Sequence, residues 1–496
     1  MTNTFSRAAN GPLASALRTE RDLLETIVRD GQLQSTVPGV HGPVLRLGAE
    51  LELFGHDGTG RPSANMHLAV QELRAQGEHC FSYEFPACAA EIATHPVVWS
   101  PQALERLRLA LNRLLTKLRT ACTAQGVTPV MLGVLPTVEP GDLASGDEIV
   151  TPVPPRYKEL LNRLSVRHGG YQLVIPSAAG FEPLQFDVTS SPVPAGFTAQ
   201  FSPNIQVRPD QLGRMANFLI AISGAVAYLT STSPWAFGKR GPWACRPQLW
   251  QQGMSPDRRL SPFGIGHYFS HGADALLEWF DHVLDGEEII PYVDDGSKEK
   301  PVPVPALEHY CGTRWNATLR LRTFREPDGV ITARIEHRTP DAGLTVVDNM
   351  ANFALALGAM VGYADRNECA EELCSYAEAE QAYWAAAQHG PTATTNWRGA
   401  RVELKQLVEE ELLPTAEAGL VTLGVEPRAA ASLLGIVRQR VDQQLTGAEW
   451  LLGMQRSILD STEIDEMEGI RRTLVALSAR QNCESQFGPV CKWRGP

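Results

Sequence analysis

The sequence predicts an α+β fold: an antiparallel β-sheet backed by helices, followed by a C-terminal helical region. Three observations predict it. Segments 44–54, 197–208 and 329–339 alternate between apolar and polar residues, the period of strands with one buried face. Leucines at 104, 107, 111, 114, 115 and 118 recur at helical spacing. Residues 398–480 are rich in Ala, Leu, Glu, Arg and Gln with helical periodicity and no strand pattern.

Taken in order, residues 1–40 read as a polar lead with one helix, roughly 13–30. The first strand, VLRLGAELELF (44–54), puts Leu45, Leu47, Ala49, Leu51 and Leu53 on one face. Arg46, Gly48, Glu50, Glu52 and Phe54 share the other. Ser100 and Pro101 supply an N-cap and a first-turn proline for the leucine-striped helix. VEPGDLASGDEIVTPVPPRY (138–157) is a turn-rich loop. FTAQFSPNIQVR (197–208) sets Phe197, Ala199, Phe201, Ile205 and Val207 against Thr198, Gln200, Ser202, Asn204, Gln206 and Arg208. A long helix over about 210–230 follows, then an exposed loop over 294–305. GVITARIEHRT (329–339) sets Ile331, Ala333 and Ile335 against Thr332, Arg334, Glu336 and Arg338. The character changes after QHGPTATTN (388–396), so two units are expected, 1–385 and 386–496.

An antiparallel sheet with helices on its back buries all three apolar faces. The polar fronts then line a common hollow. Their inventory is Glu, Gln, Asn and Arg, with few of the Lys, Ser or Thr residues of an ordinary solvated face.

Composition excludes some functions. The chain has 496 residues, 43% hydrophobic and 20% charged, with a formal net charge of -12. With no long basic run, a nucleic-acid backbone is not the expected partner. The apolar stretches 216–230 and 351–364 fall short of the roughly 18 residues needed to cross a bilayer, and the N-terminus lacks the apolar core of a signal peptide. Nine cysteines without a C-x-x-C pair fit reduced thiols. The expectation is a cytoplasmic protein without a membrane partner. G-x-x-x-x-G-K-[ST], G-x-S-x-G and H-E-x-x-H are all missing. His337, on the apolar face of its strand, reads as a packed core histidine. Trp235, Trp243 and Trp250 read as core residues and not as the floor of a nucleotide site.

Glu50 and Glu52 are two apart on a strand, so their Cα atoms lie roughly 7 Å apart on one face. In a half-dry hollow they repel, and their pKa values rise unless a cation intervenes. Mg²⁺ or Mn²⁺ is the natural cation for oxygen ligands. YEFPACAAEIATHP (83–96) adds Glu84 and Glu91, the latter inside a short apolar strand.

These residues carry a resemblance. G-A-E-L-E at 48–52, then Glu84 and E-I-A-T at 91–94, are similar to the opening strands of the glutamate–cysteine ligases, in the carboxylate–amine ligase branch related to glutamine synthetase. P-R-Y at 155–157 and N-I-Q-V at 204–207 resemble further family segments. So do S-P-W at 233–235, G-K at 238–239, Arg246 and L-W at 249–250. G-T-R-W-N (312–316), R-I-E-H-R-T-P-D (334–341) and Asp348 resemble the closing part, and T-G-A-E-W (446–450) is a weaker echo.

The resemblance implies a glutamine synthetase-like sheet funnel that holds ATP with Mg²⁺ (or Mn²⁺) and is catalytic over 1–385. By position, Glu50, Glu84 and Glu91 resemble the ligands of one metal, and Glu52, Gln206 and Glu336 those of another. Arg338 resembles the arginine that grips the transferred phosphate, Arg246 the one that holds the α-carboxylate of glutamate. Arg156 and Tyr157 resemble a substrate-binding pair. Arg208 shares the strand face with Gln206 and serves a phosphate, the acceptor, or a salt bridge to one of the glutamates.

The implied activity is ATP-dependent activation of the γ-carboxylate of glutamate as an acyl phosphate. An amine then attacks it, most plausibly cysteine, as in glutathione biosynthesis. A different amine acceptor, or a non-catalytic nucleotide-binding relative, are the alternatives; six intact ligand-type residues disfavour the second. The chemistry suits these residue types. Phosphoryl transfer depends on positioning and charge neutralisation, carboxylates hold the hard metals that bridge phosphate oxygens, and a planar guanidinium matches a phosphoryl face.

Overall fold

Strict alternation makes residues 44–56 the centre of the molecule. The computed structural model describes residues 12–143, 154–177, 182–188, 193–255, 261, 263–285, 302–312 and 318–481. Its main sheet has eight strands: β1 (Val44–His56), β2 (Phe81–Tyr83), β3 (Ala89–Ala93), β4 (Val97–Val98), β5 (Thr128–Val130), β6 (Phe201–Val207), β7 (Leu319–Arg325) and β8 (Ile331–His337). They run in the order β7-β8-β6-β1-β3-β2, with β4 and β5 also paired to β1. Every pairing is antiparallel. The three alternating segments therefore lie side by side as β1, β6 and β8, as the shared apolar-behind pattern requires.

Helices cover the apolar back. Leu45, Leu47, Ala49, Leu51 and Leu53 are buried there. The leucine-striped helix packs on β1, β4 and β5 through buried Leu104, Leu107, Leu111, Leu115 and Leu118, with Leu114 at the margin. It begins later than its sequence suggests, at Ala103. Ser100 does not cap it: its carbonyl accepts from the Ala103 N–H at 2.9 Å. Pro101 thus sits at the corner of a turn, the position its fixed φ favours.

The long helix expected over 210–230 is broken in two. Leu212–Ala221 and Ser223–Thr230 meet at Ile222 with a bend of 55°. Ser223 Oγ donates to the Leu219 carbonyl at 2.8 Å, a back-bond that bends helices. Among the described residues no single helix is long and apolar enough to cross a membrane. A helix over Pro305–Gly312 begins at the last residue of the segment expected to be an exposed loop; residues 286–301 lie outside the described residues.

Among the described residues, the C-terminal region is helical apart from one hairpin. Thr394–Trp397 and Ala400–Glu403 form a hairpin where no strand pattern was read from 398 onward. Its two-residue loop holds Arg398 at φ +52 and Gly399 at φ +77, the backbone of a primed turn. An arginine at the first left-handed position hides that signal.

These C-terminal elements press on the buried helix Val346–Asp365. A Cβ at Gly358 would meet the Ala416 carbonyl at 2.4 Å, and one at Gly419 would meet the Gly358 carbonyl at 2.0 Å. Glycine at both positions permits that approach. The main hydrophobic core runs from Leu17 to Leu477, with a smaller cluster around Phe85, Leu160 and Leu164. An ion pair between Asp348, 1% exposed, and Arg440 ties the first turn of this helix to the helix Pro427–Asp442.

Removing one partner strands the other charge in the core. Arg440→Met is expected to cost about 3–5 kcal/mol in urea denaturation. Adding Asp348→Asn to it should recover much of that loss, whereas an additive double variant would show that the two charges do not depend on each other.

Candidate active site

Register decides which polar side chains of the sheet's front meet. On β1, Glu52 lies directly opposite Glu91 of β3. Glu50 lies opposite Ser202 of β6, Gly48 opposite Asn204, and Arg46 opposite Gln206. Across the next seam Asn204 faces Glu336 and Gln206 faces Arg334. On the edge strand Arg320 faces Glu336 and Arg322 faces Arg334. The face is thus acidic at the β1–β3 end and arginine-rich at the β7–β8 end.

At the acidic end Glu52, Glu84 and Glu91 each offer a carboxylate oxygen, all within 4.8 Å of one another. Each is held in place. Gln200 donates to Glu52 through its backbone N–H at 3.0 Å and its amide Nε2 at 3.1 Å. Ser82 Oγ donates to Glu91 at 2.9 Å, and the Tyr157 hydroxyl donates to Glu84 at 3.1 Å. Burial, then the neighbouring Glu84, pushes the Glu52 carboxyl well above the usual carboxylate range. Burial followed by repulsion from Glu91 and Glu336 pushes Glu50 up to about 7. Three converging hard-oxygen donors under mutual repulsion fit a divalent cation such as Mg²⁺ or Mn²⁺.

The carboxylates are grouped differently from the sequence expectation. Glu52, not Glu50, joins Glu84 and Glu91, because the antiparallel register sets Glu52 opposite Glu91. Glu50 sits nearer the middle, with Arg334 at 3.9 Å. Gln206 is not the amide beside Glu336. Its carbonyl oxygen accepts from Arg46 at 2.8 Å and its Nε2 donates to Gln34 at 3.1 Å. Asn204 lies opposite Glu336, and its Oδ1 is buried without a hydrogen-bond donor. That orphaned oxygen is the better candidate ligand.

Glu336 is 1% exposed. Burial works against its charge, but Arg338, Arg320 and Arg322 outweigh burial and hold it below the usual carboxylate range. Arg338 ion-pairs with it directly, Arg322 donates at 3.2 Å and Arg320 stands at 3.7 Å. Arg338 also feels the charges of Glu52 and Glu50, so it sits between the two ends.

Two expected substrate-binding arginines are engaged elsewhere. Arg208 lies one residue beyond β6 and pairs with Asp210 at 2.7 Å on the surface, away from the hollow and from the glutamates. Arg246 is 4% exposed. Its Nε donates to Asp341 at 2.6 Å, its Nη2 to the carbonyls of Arg338 and Thr339 at 2.9 and 2.8 Å, and its Nη1 to Gln200 at 3.4 Å. It is a strut beneath the site. Tyr157 reaches the site through Glu84, from the first turn of the helix Pro155–His168. The Arg156 side chain lies outside the described residues, as do residues 313–316.

Sequence reasoning passed over Arg320 and Arg322, although LRLRTFR (319–325) alternates arginine with apolar residues as plainly as β1 does. It placed Gln200 on the polar front and Asp341 in the closing resemblance but gave neither a role, because no local pattern announces one. His337 is a core histidine as expected: burial pushes its imidazole down to about 3. Trp235 is also a core residue, donating to Gln455 at 3.0 Å.

No family model matches this chain, and no curated protein matches it. Among solved structures it is similar to glutamate–cysteine ligase from Francisella tularensis in complex with AMP. The TM-score is 0.57 at 13% identity, over 89% of this chain and 90% of that one. It is also similar to a bifunctional glutathione synthetase from Pasteurella multocida, with a TM-score of 0.53 at 13% identity, over 93% of this chain. The chain spans 53% of that longer protein. At such identity the likeness is one of fold: the sheet and its helical backing are arranged as in these proteins.

The raised carboxyls set a pH dependence. Glu50 ionises near 4.5 when unfolded and near 7 when folded, so the folded state binds more protons in that window. Its contribution to stability is present below about 4.5 and is lost as pH rises towards 7; Glu52 acts in the same direction. In thermal unfolding the metal-free protein should lose stability from pH 5 to pH 8, and millimolar Mg²⁺ should raise Tm more at pH 8 than at pH 5. Glu91→Gln should shrink the Mg²⁺ effect. An equal Mg²⁺ shift at both pH values would contradict the charge argument.

Proposed function

We propose that this protein is an ATP-dependent carboxylate–amine ligase, acting on the γ-carboxylate of glutamate with cysteine as the first amine to test. The observation that carries the reading is the two-ended sheet face: converging carboxylates at one end, a row of arginines at the other. The shared fold with glutamate–cysteine ligase supports it.

Two cation sites are assigned to this chain: Glu52, Glu84 and Glu91 for one, Glu50, Asn204 and Glu336 for the other. Cations held there would supply positive charge to neutralise the phosphates of ATP. The remaining work falls to the protein. Arg338, between the two ends, neutralises charge on the γ-phosphoryl group as it moves to the substrate carboxylate and ADP leaves. Arg320 and Arg322 extend the same positive field. The amine then attacks the acyl carbon, its nitrogen forms the amide, and phosphate departs. Tyr157 holds Glu84 through its hydroxyl. Arg246 acts through others: by gripping the carbonyls of Arg338 and Thr339 and the amide of Gln200, it keeps Arg338 and Glu52 in register.

ADP release from ATP should require glutamate and Mg²⁺ and should rise with cysteine. A panel of amino acids crossed with amines measures this. Stimulation by other amines but not by cysteine would change the acceptor and leave the class; ATP binding without turnover across the panel would overturn the class. Arg338→Lys should lower kcat on the order of 10²–10³-fold, and Glu52→Ala by a comparable factor, both with near-native circular dichroism. Wild-type rates in either would remove the assignment.

A further inference from the structure

We infer that Arg334 is a substrate-binding residue that holds an anionic group, a phosphate or a carboxylate, on a row of arginines across the front of the sheet. The inference deepens the ligase reading above and rests on it. Register builds the row: Arg46 on β1 lies opposite Gln206 on β6, Gln206 opposite Arg334 on β8, and Arg334 opposite Arg322 on β7. Neighbouring strands are about 4.8 Å apart, and like charges directly opposite one another destabilise an antiparallel pair. Two of the three arginines are matched. Arg322 donates to Glu308 at 2.5 Å and to Glu336 at 3.2 Å. Arg46 donates to Gln34 at 2.5 Å and to Gln206 at 2.8 Å, with Glu326 at 3.7 Å.

Arg334 is not matched in this way. Its Nε is buried and meets no hydrogen-bond acceptor among the described residues. The one described carboxylate within ion-pair distance, Glu50, stands at 3.9 Å, beyond hydrogen-bond reach. The carbonyl oxygen of Gln206, opposite, is taken by Arg46. The Arg334 side chain is nevertheless 27% exposed, and strand parity sets it on the same face as Glu336. A buried donor without an acceptor, beside an opposed like charge, costs stability. An anion on the guanidinium removes both costs, and the planar fork suits a phosphate or a carboxylate. Arg338 lies four residues further along the chain, about 13 Å of extended backbone, and is paired with Glu336. Arg334 therefore serves an anionic group other than the phosphoryl group assigned to Arg338.

The test is calorimetry of ADP and of glutamate on the full chain with Mg²⁺ present, which reads binding without turnover. Arg334→Gln should weaken at least one of the two by about tenfold or more, the scale of a hydrogen bond to a charged group. Loss for ADP assigns the anion to a phosphate, loss for glutamate to a carboxylate. Arg334→Lys keeps the charge and loses the fork; it should weaken the same ligand several-fold, and it replaces Arg334→Gln if that variant does not fold. Two further readouts separate ligand contact from an effect on the fold or on a metal. Without ligand, the Tm of Arg334→Gln should equal or exceed that of the wild type, because an opposed like charge has gone. Mn²⁺ affinity should hold or rise, because a positive charge has left the side of Glu50. Unchanged affinity for both ligands, or a loss seen only with a lowered Tm or weakened Mn²⁺, would overturn the inference. So would a wild-type protein that binds neither ligand. Binding that depends on Arg334 in a protein that turns over no ATP would remove the ligase reading alone, a distinct result.

Discussion

Like charges crowded on one half-buried sheet face are the constraint on which the rest depends. Glu50, Glu52, Glu84, Glu91 and Glu336 occupy a space where water screens poorly, so each must find a cation or hold a proton. The protein solves this at one end only. Three arginines surround Glu336 and keep it ionised. Glu50 and Glu52 are left with raised pKa values and insufficient positive charge nearby. A stable fold does not need this asymmetry. The proposed cation and polyphosphate site does.

Such a face persists only on a rigid base. Buried leucines of β1 and the leucine-striped helix hold the back of the sheet. Beneath the front, Asp341 accepts from Arg246, from the Thr232 N–H at 2.9 Å and from Ser233 Oγ at 2.7 Å. A Cβ at Gly133 would meet that carboxylate at 2.3 Å, so glycine is needed where the strut passes. Through Arg246 the network reaches the carbonyls beside Arg338 and the amide of Gln200, which orients Glu52. One buried ion pair therefore couples the acidic and basic ends, and the guanidinium that resembles a substrate ligand in sequence is spent on architecture. The glycine-mediated contacts of the C-terminal helices extend the same core and brace the helix Val346–Asp365 from the other side.

Much of this was legible in the residue pattern. Period-two alternation identified β1, β6 and β8, the polarity of their fronts marked the site, and the leucine spacing marked the main backing helix. All three are local consequences of backbone geometry, so local sequence suffices. The hairpin at 394–403 and the break at Ile222 were hidden because an arginine in a left-handed turn and a serine back-bond carry no strong compositional sign.

The sequence by itself determined which residue types face the hollow and that acidic and basic groups share it. Only the tertiary structure decided their partners: Glu52 with Glu91, Asn204 in place of Gln206 beside Glu336, Arg208 outside, Arg246 underneath. The reason is physical. A strand's own pattern specifies faces, but cross-strand register, and hence which charges lie a few ångströms apart, depends on how distant segments align.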